Sequence, residues 1–137
     1  MSPKGPQPVR AERRLEELGI KLTPAPAPLG AYAESVQTGN LLYLSGVLPV
    51  IGHEPKFVGR LGRDYNTEQG REAARLATLN VLSVARNHLG SLDKVIRVVK
   101  LTTYLATEGD FFAQPKVADG ASELPDSWPK HPSATGL

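Results

Sequence analysis

The amino-acid sequence predicts an α+β fold, in which a sheet carries two helices packed on one face. Two β-rich runs flank Gly39-Asn40 within residues 31–46, a pattern typical of a β-hairpin with a tight turn. A long helical pattern begins at Asn66, and residues 95–106 are almost all β-branched, apolar or aromatic. With 137 residues, 40% of them hydrophobic, the chain is long enough for one domain with its own core.

The composition disfavours several classes of function. A net charge of +2 and 6% aromatic residues provide neither a basic field nor a stacking surface, so nucleic acid is not an expected partner. The absence of Cys excludes disulfides and Cys-based zinc sites and suits a reducing cytoplasm. His53, His88 and His131 match no metal-binding spacing, so no metal is expected. Because no apolar run is long enough to span a membrane, we expect a soluble cytoplasmic protein with no membrane partner.

The sequence that precedes the hairpin predicts little packed structure. Residues 1–8 are expected to be disordered because Pro, Gly and Lys offer little surface to bury. Residues 9–18 can form a short helix with apolar side chains on one face and Gly19 as its C-cap. Residues 23–28, in which Pro and Ala alternate after Thr23, predict an extended linker of polyproline character that leads to the first strand.

The region after the hairpin predicts the main helix. Residues 49–55 are expected to form a loop and residues 56–59 a short third strand. Asn66 and Gln69 have the spacing of a capping box, so the helix is expected to begin at Asn66 and to end near Gly90. Its inner face is predicted to carry mostly small side chains, which would let it approach the sheet closely: Ala73, Ala77, Val81, Val84 and His88.

Residues 95–106 give the strongest strand signal in the sequence. Their nearly continuous apolar run predicts a strand covered on both faces, and because helices cover only one, the other face indicates a partner subunit. A charge at Val99 is therefore expected to destabilise the fold strongly. A second helix is predicted from Asp110 to about Leu124, interrupted at Pro115.

These patterns, taken in order, resemble the RidA/YjgF family of reactive-intermediate imine/enamine deaminases, also called L-PSP endoribonuclease-like proteins. The resemblance covers roughly residues 12–124 and implies a chorismate-mutase-like (YjgF-type) sheet and a homotrimer. It also implies hydrolysis of 2-imino and 2-enamino acids to 2-oxo acids and ammonia, with no cofactor. The segments that carry it are Ala31 through Gly46, Gly59 through Asp64, Glu68 through Asn80, Leu92 through Tyr104, and Asp110 through Ser122.

The resemblance implies four substrate-binding residues, each of which also has a structural interpretation. Tyr32 matches the tyrosine that closes over the ligand, or it is an ordinary strand aromatic. Ser45 and Gly46 match the strand end whose backbone meets the substrate, or they form a bulge or turn. Asp119 stands where many relatives have Asn, or it is a residue of the helix surface.

The C-terminal region departs from the family pattern. From Pro125 onward the sequence predicts an irregular tail, residues 125–137, after a single domain of residues 9–124, because Pro125, Pro129 and Pro132 disfavour a strand. The family's last strands are therefore expected to be missing, and its carboxylate-binding arginine has no counterpart. Two interpretations remain: a truncated or frame-shifted member, or a natural variant that has lost the chemistry.

The expected function is therefore an impaired RidA-like deaminase with no confidently assigned catalytic residue. A non-catalytic, small-molecule-binding or regulatory trimer is the first alternative, and an endoribonuclease or translation inhibitor is the second. Arg60, Arg63 and Arg97 could replace the missing guanidinium, although surface arginines are the simpler interpretation. The glycine-rich residues 59–63 lack the Lys-Ser/Thr end of a phosphate-binding loop and are expected to form a turn.

Overall fold

The computed structural model describes residues 10–28 and 30–126, with side chains as far as Glu123. The helices are α1 (Ala11–Glu17), α2 (Thr67–Leu89) and α3 (Gln114–Asp126), with a short 3-10 turn at Leu92–Lys94. The strands are β1 (Ser35–Thr38), β2 (Leu41–Leu44), β3 (Val50–Ile51) and β4 (Glu54–Pro55). They form two antiparallel pairs, β1 with β2 and β3 with β4.

Helix α1 begins and ends much as the sequence predicts. Gly19 follows the C-cap Leu18 with a φ of +69°, which a residue without a Cβ adopts easily. Its N–H donates to the Glu16 carbonyl, and the Ile20 N–H donates to Leu15, so the helix ends in a Schellman motif. The buried face of α1 packs into a core cluster made of Ala11, Leu15, Ala85 and Leu92.

The predicted hairpin is confirmed, with Thr38 paired to Leu41 across the Gly39-Asn40 turn. Gly39 has a φ of +57°, as expected at the first central position of a II′ turn. Leu42 and Leu44 point from β2 into the core cluster, whereas the intervening Tyr43 is exposed. The hairpin therefore presents one face to the helices and leaves the other open.

The predicted third strand is in a different place. Residues 56–59 form no strand; instead β3 and β4 pair around Gly52-His53, inside the segment predicted to be a loop. Gly52 has a φ of +64° and makes the tight turn possible.

Helices α2 and α3 pack closely because glycines lie at their contact. A Cβ on Gly70 of α2 would lie 3.0 Å from the Val117 side chain of α3, and one on Gly120 of α3 would lie 2.5 Å from the Arg71 carbonyl oxygen of α2. The predicted capping box of α2 is present, since Asn66 and Gln69 exchange hydrogen bonds of 2.9 Å. The predicted inner face is only partly right: Val84 is buried and His88 exposed, while the most buried positions also include Gly70, Ala74, Thr78, Asn80, Ser83 and Ala85.

Helix α3 begins later and ends later than predicted. It starts at Gln114, so Pro115 lies in the first turn, where its missing N–H costs no helical hydrogen bond, rather than interrupting the helix. The helix runs through Pro125 to Asp126, which corrects the expected start of the tail by two residues. The remainder of that predicted tail, like the predicted disorder of residues 1–8, lies outside the described residues.

The expectation for residues 95–106 is not met among the residues that the structure describes. No strand is assigned there, and Val99 is 68% exposed instead of buried on a covered strand. Among the described residues, only the two ends of the segment form hydrogen bonds. The Val95 N–H donates to the Leu92 carbonyl, and the Ala106 carbonyl accepts from the Leu61 N–H. The apolar pattern predicts a segment whose side chains can be buried, but the described residues contain no neighbouring strand that pairs with it.

Candidate functional site

Three of the four residues that the resemblance singled out, Tyr32, Ser45 and Gly46, lie at or next to the ends of the hairpin strands. The Ser45 hydroxyl donates to the Ala33 carbonyl at 2.6 Å, and the Ser45 N–H donates to the Glu34 carbonyl at 3.0 Å. These two bonds fix the end of β2 against the residues that follow Tyr32. Gly46 comes next, and the space where a Cβ would lie is open to 4 Å. Ser45 and the open Gly46 surface therefore lie against the residues that follow Tyr32, whose half-exposed ring lies beside Gly30.

A chain of hydrogen bonds holds the hairpin on the C-terminal end of α2. Gln37 Nε2 donates to the Gly39 carbonyl at 3.1 Å, which turns Gln37 Oε1 toward His88 Nε2 at 2.9 Å. That contact requires a proton on Nε2, and in the neutral ring Nδ1 then accepts from the Ser35 hydroxyl at 3.0 Å. The sequence singled out none of these roles. Ser35 and Gln37 are two residues apart on one strand and so share a face, which was the available signal.

A buried amide fixes the chain just beyond the candidate site. Asn80 is only 1% exposed, and its Nδ2 donates to the carbonyls of Leu48 and Val50 at 3.0 and 2.8 Å. These carbonyls follow Ser45 and Gly46 by a few residues, so the amide limits how far the strand end can move. Sequence reasoning missed Asn80, and a polar residue within an otherwise apolar helical face was the signal that could have indicated it.

Asp119 lies on α3, in a different environment from the hairpin end. Its charge acts on Arg71, which also donates to the Lys116 carbonyl at 2.8 Å and to Glu123 at 2.5 Å. These contacts, chiefly the hydrogen bond from Arg71 to Glu123, raise the pKa of the Arg71 side chain. Asp119 is exposed, beside the α2–α3 contact, a position that agrees with its helix-surface interpretation.

The arginines that could replace a missing guanidinium differ in their partners. Arg60 donates to the Thr107 carbonyl at 3.1 Å and lies 3.9 Å from Glu108. Arg63 pairs with Asp64 at 3.0 Å and with Glu108 at 3.5 Å. By contrast, the exposed Arg97 side chain forms no ion pair or hydrogen bond within the described part of the chain. Arg97 is thus the only one of the three with an uncommitted charge.

The glycine-rich segment forms the predicted turn and not a phosphate-binding loop. The N–H groups of Arg63 and Asp64 both donate to the Arg60 carbonyl, and the Asp64 carboxylate accepts from the Arg60 N–H at 2.8 Å. The hydrogen bonds from Arg63 and the Arg60 backbone lower the pKa of Asp64 below its usual range. The backbone donors that a phosphate would need are therefore used within the turn itself.

An open groove of about 580 Å³ adjoins the hairpin. The Pro-Ala linker forms one wall, the β3–β4 turn another, and Glu34, His53 and Asn87 supply polar groups. The linker is tied to α2 because Ser83 donates to the Thr23 carbonyl at 2.7 Å. Among residues 10–28 and 30–126, no three His, Cys, Asp or Glu side chains are grouped as a metal ion would require, and no helix is long and apolar enough to cross a bilayer.

Comparison with known proteins assigns the family. Residues 12–127 match the family described as "YjgF/chorismate_mutase-like, putative endoribonuclease". The chain belongs to the YjgF/RidA family. Protein TCP17 of Trypanosoma cruzi is 40% identical over 115 residues, which make up 84% of this chain and 72% of that protein. RutC family protein y4sK of Sinorhizobium fredii is 28% identical over 106 residues, covering 77% and 75% of the two chains.

Solved structures show the same fold for this YjgF/RidA chain. A protein from Shewanella oneidensis described as a "putative endoribonuclease" is 31% identical, with a TM-score of 0.77 over 85% of this chain and 77% of its own. A protein of unknown function from Agrobacterium tumefaciens is 37% identical, with a TM-score of 0.75 over 83% and 70% of the two chains. The fold is therefore α+β and chorismate-mutase-like, as the sequence predicted.

Proposed function

We propose that this chain carries a RidA-like cleft for 2-imino and 2-enamino acids and that their hydrolysis by the chain is impaired. The observation that supports the proposal is the pair of bonds from Ser45 to residues 33 and 34, which holds the Ser-Gly strand end against the residues that follow Tyr32. In the reaction, water adds to the imine carbon, the C–N bond breaks, and a 2-oxo acid and ammonia are released. Backbone groups at Ser45 and Gly46 would orient the imine, and the Tyr32 ring would cover its side chain.

The impairment follows from the missing carboxylate anchor. A bidentate arginine would fix and partly neutralise the substrate carboxylate. The last arginine in the sequence is Arg97, well before the position of the family's Arg-Ser-type motif. Losing such a pair would weaken binding by about 30-fold or more, since a buried charge pair contributes about 2–5 kcal/mol. We also propose that the cleft lies between subunits of a homotrimer, for which Asp119 is the fourth substrate-binding candidate.

The experiment measures the decay of 2-iminobutanoate generated in situ by a dehydratase. We expect the unmodified chain to accelerate decay no more than solvent does, while NMR detects weak binding of 2-oxobutanoate that Ser45→Ala and Tyr32→Phe reduce. Grafting an Arg-bearing pair of C-terminal strands after Asp126 should restore turnover, because the guanidinium would then be held in register. Glu72→Gln, an exposed change on α2, is the matched control.

Two results would contradict this proposal. Rapid imine decay with the unmodified chain, abolished by Arg97→Ala, would identify a substitute anchor and remove the claim of impairment. Failure of the grafted chain to accelerate decay, although it folds and binds 2-oxobutanoate, would remove the deaminase and favour the non-catalytic binding protein.

A further inference from the structure

The open groove of about 580 Å³ beside the hairpin, here called the linker groove, has a volume within the range of small-molecule sites. Residues 23–28 form one wall, and residues 51–53 of the β3–β4 turn form another. Glu34, just before β1, and Asn87, in the last turn of α2, complete the lining. Most of the lining surface is apolar and comes from Pro, Ala and Ile side chains.

Two buried polar side chains of α2 hold the walls of the linker groove in place. Ser83 is 4% exposed and donates to the Thr23 carbonyl at 2.7 Å, which fixes the start of the linker wall. Asn80 lies three residues earlier, on the same helix face, and donates to the Val50 carbonyl next to the other wall. The prolines of the linker restrict its backbone further. The groove is therefore preformed, and a ligand pays little ordering entropy when it binds.

Glu34 gives the linker groove its charge. Among the described residues that line the groove, it is the only Asp, Glu, Lys or Arg. It is half-buried, and its carboxylate forms no hydrogen bond or ion pair with the described part of the chain. A partly desolvated carboxylate without a partner favours a cation from outside the chain. The groove therefore combines one anion with an apolar surface.

The groups around Glu34 distinguish between kinds of cation. Zinc sites take three or four protein ligands, and among residues 10–28 and 30–126 no three His, Cys, Asp or Glu side chains are grouped. An organic ammonium needs one carboxylate, an acceptor such as the Asn87 side-chain carbonyl, and an apolar surface for its body. Proline rings of an extended segment offer such a surface to flat aromatic rings. We propose that the linker groove binds an aromatic alkylammonium ligand, with Glu34 neutralising its cation.

This site is independent of the proposed cleft for 2-imino acids, here called the imine cleft, although Glu34 adjoins both. The Glu34 carbonyl accepts the Ser45 N–H at 3.0 Å, so a ligand that orders Glu34 should also slow hydrogen exchange of the Ser45 amide. The imine cleft is proposed to bind carboxylates, whereas the linker groove selects a cation. Loss of one activity is therefore distinguishable from loss of the other.

The binding experiment uses three indoles that share a ring and differ in charge. We expect NMR titration of the full chain to show binding of tryptamine, about fivefold weaker binding of the neutral 3-ethylindole, and still weaker binding of the anionic indole-3-propionate. Amide shifts with tryptamine should concentrate on Ala25, Ile51, Gly52 and Asn87, and its affinity should fall as salt rises. Excess 2-oxobutanoate should not displace it.

Four variants separate the charge from the apolar wall. Glu34→Gln keeps the backbone bond to Ser45 and should weaken tryptamine about fivefold while leaving 3-ethylindole unchanged. Glu54→Gln removes an exposed carboxylate of β4 that does not line the groove, and should leave tryptamine binding unchanged. Ile51→Ser shortens the apolar wall and should weaken both indoles about threefold. Val58→Ser, an exposed change outside the groove, should weaken neither.

Four results would overturn the proposal. They are no binding of any indole, equal binding of tryptamine and indole-3-propionate, equal loss of tryptamine binding in Glu34→Gln and Glu54→Gln, and amide shifts confined to Ser45 and Gly46. The last of these would put the amine in the imine cleft. Because the comparison of the three indoles uses the unmodified chain, the test does not depend on whether any variant folds.

Discussion

The corner where α1 meets α2 and residues 95–106, here called the open segment, are both rich in apolar residues, but only the apolar residues of the corner are buried. At the corner Leu92 is completely buried, and the Glu12 carboxylate holds the surrounding backbone in place by accepting from the Leu92 N–H and from Arg86. In the open segment, just downstream of Leu92, Val99 is 68% exposed and residues 96–105 have no hydrogen-bond partner among the described residues. An apolar pattern thus predicts which side chains of a segment can be buried. Whether they are buried depends on polar partners and neighbouring strands elsewhere in the fold.

The largest loss of stability is expected at Asn80, the buried amide that binds the chain after β2. Asn80→Leu keeps the branching and the number of side-chain heavy atoms, although Leu is larger, and it removes both donors. The Val50 carbonyl then loses the Asn80 amide, and the Leu48 carbonyl keeps only the Val50 N–H. We expect urea denaturation to show a loss of about 2–4 kcal/mol in the free energy of unfolding, because buried acceptors left unsatisfied are costly. The exposed Asn87→Leu on the same helix should change it by less than about 0.5 kcal/mol. Equal midpoints for Asn80→Leu and wild type would show that the amide does not close this region.

A smaller loss is expected where α2 and α3 touch. Gly120→Ala places a Cβ 2.5 Å from the Arg71 carbonyl oxygen, so the two backbones must separate. Overpacking should lower stability by about 1–3 kcal/mol, offset in part by the roughly 1 kcal/mol better helix propensity of Ala. Gly109→Ala is the matched control, since nothing lies within 4 Å of its added Cβ. Thermal unfolding at a higher temperature for Gly120→Ala would contradict the close approach of the helices.

The corner between α1 and α2 is expected to lose stability at acid pH. Burial raises the pKa of Glu12, but hydrogen bonds from Arg86 and Leu92 and the charge of Arg86 together outweigh it, so the pKa lies below its usual value. A carboxyl with a lowered folded-state pKa stabilises the fold above the unfolded value of about 4.3, and this contribution is lost as pH falls through the folded-state pKa. Glu12→Gln should cost about 1–2 kcal/mol at neutral pH and flatten the acid limb of the stability curve.

The matched control for that pH profile is Glu16→Gln, an exposed change on the same helix. It should leave the acid dependence of the unfolding free energy as it is in the wild type. If the Glu12 and Glu16 variants lose stability in parallel as pH falls, the contact of α1 with Arg86 contributes nothing specific to the corner.

The smallest effect is expected in the open segment itself. Because Val99 is exposed, Val99→Asp should change the free energy of unfolding of the isolated chain by less than about 0.5 kcal/mol. This reverses the expectation from the sequence, which treated the segment as covered on both faces. A large loss of stability in dilute protein, seen as a lower urea midpoint, would show that the segment is buried in solution and would remove the contrast between the two regions.

Local signals in the sequence were enough for several elements. Gly39 and Asn40 specify the hairpin turn, and Asn66 with Gln69 specifies the start of α2, because both depend on contacts within four residues. The candidate site was predicted only through family resemblance. The bonds of Ser45 to residues 33 and 34 agree with a fixed strand end there, while the ligand-binding roles of Tyr32, Ser45, Gly46 and Asp119 stay predictions.

The sequence by itself determined the fold class, the hairpin turn, the cap of α2 and the family, since these depend on short-range chemistry and on motif order. Only the tertiary structure decided that Asn80 and His88 anchor the strand ends, that Gly120 marks a helix contact, and that the open segment has no neighbour among the described residues. Partners far apart in the chain set each of these features. A residue's own identity limits which partners it can bind, but the fold determines which partners come within reach.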